Sequence, residues 1–113
     1  MLDEVAKHPN DAAAHWVLGL AYGEGKRDQG SAMRNIREAV RLDPNNAWYH
    51  FYLSGLLRDS GDIAGAKAEA ETARKLDPNN RTFQSRLANA RLFQQQQSRL
   101  FSRFVSSTFS IWR

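Results

Sequence analysis

The sequence predicts an all-α fold built from tandem antiparallel helix hairpins, and three observations predict it. Pro9, Pro44 and Pro78 recur at an even spacing of about 34 residues, the period of one helical hairpin. The segment Arg41-Leu42-Asp43-Pro44-Asn45-Asn46 returns as Lys75-Leu76-Asp77-Pro78-Asn79-Asn80, a basic residue followed twice by the same five residues. Between these segments, large residues (Leu18, Tyr22, Leu53, Leu57) and small ones (Gly19, Ala32, Ala39, Ala66, Ala73) recur in register, as they do where two helix backbones pack closely.

The repeated segment acts as punctuation. A residue before proline is pushed out of the helical region and proline cannot continue a helix, so one helix stops there. Proline suits the first turn of the next helix, and the Asn pair offers oxygens to its unpaired N–H groups. Helices are therefore expected at 11–24, 30–42, 46–59, 63–76 and 80–97. The first carries Leu18-Gly19 and Tyr22, and the second carries Ala32, Ile36 and Ala39. Between Tyr22 and Ala32 lies one residue more than between Leu57 and Ala66, an insertion assigned to the turn 25–30. The third helix carries Leu53 and Leu57; Gly61-Asp62 turns the chain, with Asp62 as the expected N-cap of a fourth helix bearing Ala66, Ala70 and Ala73. The fifth carries Leu87, Ala88 and Arg91, and no Gly or Pro after Pro78 makes a further turn.

Leu18-Gly19 with Tyr22, followed by Ala32, Ile36, Ala39 and Pro44, resembles the Leu-Gly-x-x-Tyr pattern of the tetratricopeptide family. The second copy has Ser54 in place of the glycine and Leu57 in place of the tyrosine. The resemblance covers about residues 9–92 and implies a right-handed superhelix of stacked hairpins. On this reading residues 1–10 are the end of a preceding repeat helix, 11–45 repeat 1 and 46–79 repeat 2. Residues 80–113 are a degenerate repeat 3 or a capping helix with a basic aromatic tail. Leu100 and Phe104 fall where Ala66 and Ala70 stand, so the tail is either a swollen second helix or part of one long helix over 80–109.

In this family the first helices of successive hairpins line a concave groove. Carried onto this chain, the groove slots are Trp16 and Leu20, Phe51 and Gly55, and Ser85 and Asn89, with Trp48 and Arg58 one turn further out. Members that grip an acidic carboxylate terminus use cationic residues in the first and third copies' slots, and none of those is met here. The resemblance thus implies a protein-interaction scaffold that binds a partner peptide or helix through apolar or aromatic anchors, without catalysis. The bland alternative, in which Trp16 and Phe51 simply pack against neighbouring helices, stands beside it.

The net charge of +4 is unevenly placed: residues 79–113 hold six Arg and no acid, whereas residues 1–78 hold 10 Lys or Arg against 12 Asp or Glu. Arg99, Phe101, Phe104 and Trp112 mark the basic aromatic tail, which is amphipathic when placed on a helix. Three roles compete for it: a cap on the last repeat, a partner or homodimer contact, and an anionic lipid or nucleic-acid surface contact. A protein partner ranks ahead of nucleic acid and membrane.

At 113 residues one domain is expected. No window approaches the roughly 20 apolar residues that span a bilayer. Asp3 and Glu4 stand where a secretory signal carries basic residues, so a cytoplasmic location is expected. The absence of Cys excludes thiolate chemistry. His8, His15 and His50 lack a metal-ligand spacing, and Gly23-Glu24-Gly25-Lys26-Arg27 lacks the following Ser or Thr of a phosphate loop. No enzyme activity, metal or cofactor is expected.

Overall fold

A computed structural model describes residues 10–24 and 28–111, with the side chains of 24 and 106–111 left aside. The expected leading helix end over 1–9, the turn residues 25–27 and Trp112 lie outside the described residues. Among the described residues there are five helices and no strand: α1 (Ala12–Glu24), α2 (Gln29–Leu42), α3 (Ala47–Asp59), α4 (Ile63–Leu76) and α5 (Arg81–Ile111). Each helix packs on the next, and the contacts within the α1–α2 and α3–α4 hairpins are the most extensive. The radius of gyration is 17.5 Å, against roughly 13 Å for a compact domain of this length, so the array is elongated.

Sequence repetition becomes repeated geometry at the helix ends. The C-caps of α2 and α4, Asp43 (φ −140°, ψ 76°) and Asp77 (φ −140°, ψ 78°), donate their backbone N–H to the carbonyls of Ala39 and Ala73 respectively. Asn46 then caps α3 by accepting from the Trp48 N–H, and Asn80 caps α5 by accepting from Thr82 and Phe83. Asp28 and Asp62, one repeat apart, cap the second helix of each hairpin through Ser31 and Gly65. The Asp28 carboxyl is held below the ordinary carboxylate range, chiefly by the backbone N–H and then the hydroxyl of Ser31. Gly61 turns α3 into α4 at φ +93°, a region costly for any residue with a Cβ.

Polar side chains tie the hairpins in the same rhythm. His15 Nδ1 lies 3.2 Å from Asn35 Oδ1, and one repeat later His50 Nδ1 lies 2.6 Å from Glu69 Oε2. His50 Nε2 also meets the Pro44 carbonyl at 2.6 Å, so acceptors face both ring nitrogens and a neutral ring can donate to only one. Gln84, one repeat on from His50, reproduces the second contact by donating to the Pro78 carbonyl at 2.7 Å.

The core is the one the register predicts, except that Tyr22, expected among the packing residues, is only half-buried. Leu18, Ala32, Ile36, Ala39, Leu53, Leu57, Ala66, Ala70, Ala73 and Leu87 are all buried. Gly19 permits the α1–α2 approach, because a Cβ there would sit 2.8 Å from Ile36 Cδ1. The expectation that fails is the end of the fifth helix at position 97. Instead α5 runs unbroken from Arg81 to Ile111, 31 residues and about 46 Å. Of the two arrangements left open for the tail, the long helix is found. Without a Gly or Pro the chain has no means of turning, and the Gln94–Gln97 run sustains helix. Leu100 and Phe104 accordingly stand 64% and 70% exposed rather than in the buried register of Ala66 and Ala70.

Candidate functional site

The odd-numbered helices carry a continuous run of aromatic rings. Trp16 on α1 meets Tyr49 and Tyr52 on α3 at 5.7 and 5.8 Å between centroids. Tyr52 touches Phe51 at 5.6 Å, and Phe51 and Trp48 both rest on Phe83 of α5, at 5.4 and 4.8 Å. Tilted and edge-on contacts at these distances are the favoured geometries of ring pairs, so the cluster is well fixed. Phe83 is fully buried, while Trp48, held edge-on against Phe51 as well, keeps 44% of its surface exposed. The result is a solvent-facing indole mounted on buried Phe83 and half-buried Phe51.

The eight groove positions expected from the sequence divide into three groups. Trp16 is half-buried against the Ile36, Leu53, Leu57, Ala66 cluster with its Nε1 inside, and Leu20 is half-buried beside it on α1. Trp48, Phe51, Gly55, Arg58 and Asn89 gather where α3 meets α5. Ser85 is exposed on α5. In the tail, Arg99, Phe101 and Phe104 are exposed, and Phe101 lines an open cleft facing Gly61 and Asp62 of the α3–α4 turn and Ala64 of α4.

Two residues that sequence reasoning passed over organise the α3–α5 junction, and the period that located the repeats could have found both. Phe83 stands one repeat after Tyr49 and takes over its buried aromatic place. Arg86 stands one repeat after Tyr52. Tyr52 packs on Trp16, and Arg86 likewise packs its guanidinium on the Phe51 ring, 4.1 Å from the centroid. Gly55 makes room for it, since a Cβ there would lie 2.8 Å from Arg86 Nη1. Burial, and next the nearby Arg58, lower the pKa of Arg86, with Asp59 and Tyr52 opposing. Beside this guanidinium is a cavity of about 180 Å3 lined by Ser54, Arg58, Ile63, Ala66, Arg86, Asn89, Ala90 and Phe93.

Among the described residues no helix is long and apolar enough to cross a membrane, and no cluster of three His, Cys, Asp or Glu is placed to hold a metal.

No protein-family profile matches the sequence, and no curated protein matches it. Solved structures do. The chain is similar to an O-GlcNAc transferase mutant of Thermobaculum terrenum, with a TM-score of 0.70 and 32% identity over 76% of this chain. It spans 16% of that transferase chain. It is also similar to the Yersinia enterocolitica type III secretion chaperone SycD in complex with a peptide of the translocator YopD, at TM-score 0.71 and 16% identity. That match covers 80% of this chain and 73% of the chaperone. With the repeat period, the hairpin stacking and the Leu-Gly-x-x-Tyr register all present, the chain is a tetratricopeptide-like helical-repeat protein.

Proposed function

We propose that the protein is an interaction scaffold that binds a peptide or helix of another protein across the first-helix face centred on Trp48. The observation that carries this reading is the exposed indole of Trp48 on its base of half-buried Phe51 and fully buried Phe83. Interface energy concentrates in such anchors, where an aromatic group is fixed beforehand and loses little freedom on binding. Arg58 and Asn89 supply polar groups at the edge of the same face. A like-folded chaperone holding a peptide of a second protein supports this mode of use. Trp16 belongs to the packing between α1 and α3, so the binding face is weighted toward α3 and α5.

The test is affinity capture from the source cell with wild type, Trp48→Ala and an exposed control such as Gln95→Ala. Trp48→Ala is expected to keep its helical signal and to lose the captured partner, while the control retains it. Equal recovery from all three would remove the groove.

A second reading rests on α5 beyond Ala90, where Leu92, Leu100 and Phe101 are exposed alongside Arg99 and Arg103. Self-association or contact with an anionic surface through this stretch predicts concentration-dependent mass in light scattering, or salt-sensitive binding to anionic vesicles, that is lost on deleting 98–113.

A further inference from the structure

Along α5, Ala90, Phe93, Gln97, Leu100 and Phe104 recur at alternating steps of three and four, the a and d positions of a heptad, and form one narrow seam. Ala90 is buried at the head of this seam, whereas Phe93, Leu100 and Phe104 stand 45%, 64% and 70% exposed. The covering stops because α3 stops. That helix ends at Asp59, and Arg58 beside its end shares a cavity wall with Phe93. From Phe93 to Ile111 the helix then runs on for about 28 Å.

The two borders of the seam differ. Arg103 lies along one, with Arg99 further round; on the other, Phe101 and Gln94 look onto Asp62 of the α3–α4 turn. An acid at the border opposes contact with an anionic surface, and a heptad seam is a shape that another helix fills by seating its side chains between those of the first. Phe93, Leu100, Phe101 and Phe104 together leave roughly 450 Å2 of apolar surface in water. Two copies face to face bring roughly 900 Å2, and the stems of Gln94, Gln97 and Ser98 carry the total past the roughly 1,000 Å2 of a specific but reversible interface.

We propose that the seam is closed by α5 of a second copy of this chain, the two helices running antiparallel and centred near Ser102. The proposal rests on the self-association reading above and gives it a geometry. In a parallel pair the α3–α4 hairpins of both copies would claim the same face of α5 at the same end, whereas antiparallel pairing sends them to opposite ends. The free stretch 93–111 has its midpoint at 102, so Leu100 of each copy lies on Phe104 of the other, an a-to-d contact made twice about a twofold axis. Gln97 is the polar member of the seam, a residue type that fixes register at a cost in affinity. Because α5 carries five Arg and no acid, and Arg103 of both copies flanks the centre, the two helices repel each other until salt screens them.

Analytical ultracentrifugation of the full chain is expected to show a monomer–dimer equilibrium with a dissociation constant of about micromolar order. Raising salt from about 50 to about 500 mM should tighten the pair, the opposite of what contact with an anionic surface would show. Leu100→Asp, at an exposed position that the monomer tolerates, should raise the dissociation constant roughly tenfold or more, and Gln97→Leu should lower it. The chain has no Cys, so spin labels on Ser102→Cys and on Gln95→Cys each report one site per copy. Antiparallel pairing places the two labels at 95 farther apart than the two at 102, by about 10 Å. Equal distances at the two sites, a dimer indifferent to Leu100→Asp, or a pair weakened by salt would overturn the α5 pairing while leaving self-association standing. A chain that stays monomeric up to about 100 μM would overturn the pairing and the self-association reading together, and salt-sensitive binding of that monomer to phosphatidylserine vesicles would assign the seam to a membrane surface instead.

Discussion

Residues 46–76 and 80–111 start alike and finish differently. Each begins at an Asn N-cap after Leu-Asp-Pro-Asn-Asn, buries an aromatic at the same point (Tyr49 and Phe83) and then a leucine (Leu53 and Leu87). In the first, Gly61 reverses the chain and α4 folds back to cover the small-residue seam. In the second no glycine stands at the equivalent place and the helix continues. A hairpin repeat is thus decided at its turn. The entry and the packing register are shared by both segments, so neither is enough to close the unit. The consequence is visible at Ala88, which corresponds to buried Ser54 yet is exposed, because no second helix covers it.

The comparison breaks most sharply in the core. Leu53→Asp places an unpaired charge at a fully packed position of the hairpin and is expected to cost about 4 kcal/mol or more, enough to abolish cooperative unfolding of a small domain. Leu100→Asp, on the open stretch of α5, is expected to stay within about 0.5 kcal/mol of wild type. Urea titration of the pair measures the contrast, and similar losses in both would mean that the distal helix is packed.

The turn comes next. Gly61→Ala forces a Cβ into the left-handed region and should cost about 1–2 kcal/mol, read as a lower thermal midpoint with unchanged helical signal at low temperature. The caps follow at about 1 kcal/mol each for Asn46→Ala and Asn80→Ala. Similar losses are expected because Phe83 and Leu87 are buried at the start of α5 as Tyr49 and Leu53 are at the start of α3; a much smaller loss for Asn80→Ala would show that α5 frays independently. Smaller still is the acid dependence of the Asp28 cap. A carboxyl lowered on folding contributes stability that is complete above its unfolded pKa and declines as pH falls through its folded one. The α2 cap should therefore weaken only below the ordinary carboxylate range, and Asp28→Asn should flatten that part of the stability curve against pH.

The period, the caps and the buried register were legible because each depends on residues close in sequence: proline and its neighbours, Asp62 before Gly65, Leu and Ala at fixed offsets. The length of α5 was legible only as an alternative, since the absence of a turn residue permits a long helix without forcing one. The groove was harder still. Trp16 and Trp48 look alike in the sequence, yet one fills a seam against two tyrosines and the other faces solvent, a distinction set by which helix packs beside each. Arg86 reads as an ordinary surface cation until Gly55 and Phe51, in the preceding repeat, are seen to shape the space it enters.

The smallest expected effect tests the distal half of α5 most directly. If the tail capped the array, its apolar residues would cover the last hairpin and removing them would expose that core. Phe83, Leu87 and Ala90, in the first third of α5, already cover it, and each is buried. Beyond them Leu100 and Phe101 keep about two thirds of their surface in water, so the apolar area they withdraw on folding is small and its stabilisation, at about 25 cal/mol per Å2, is correspondingly slight. Deleting 98–113 is therefore expected to leave the urea midpoint unchanged within about 0.5 kcal/mol while lowering helical ellipticity by the lost turns. A fall of several kcal/mol would make the tail a structural cap, whereas an unchanged midpoint with loss of self-association or surface binding would make it a contact device carried on a helix the core does not require.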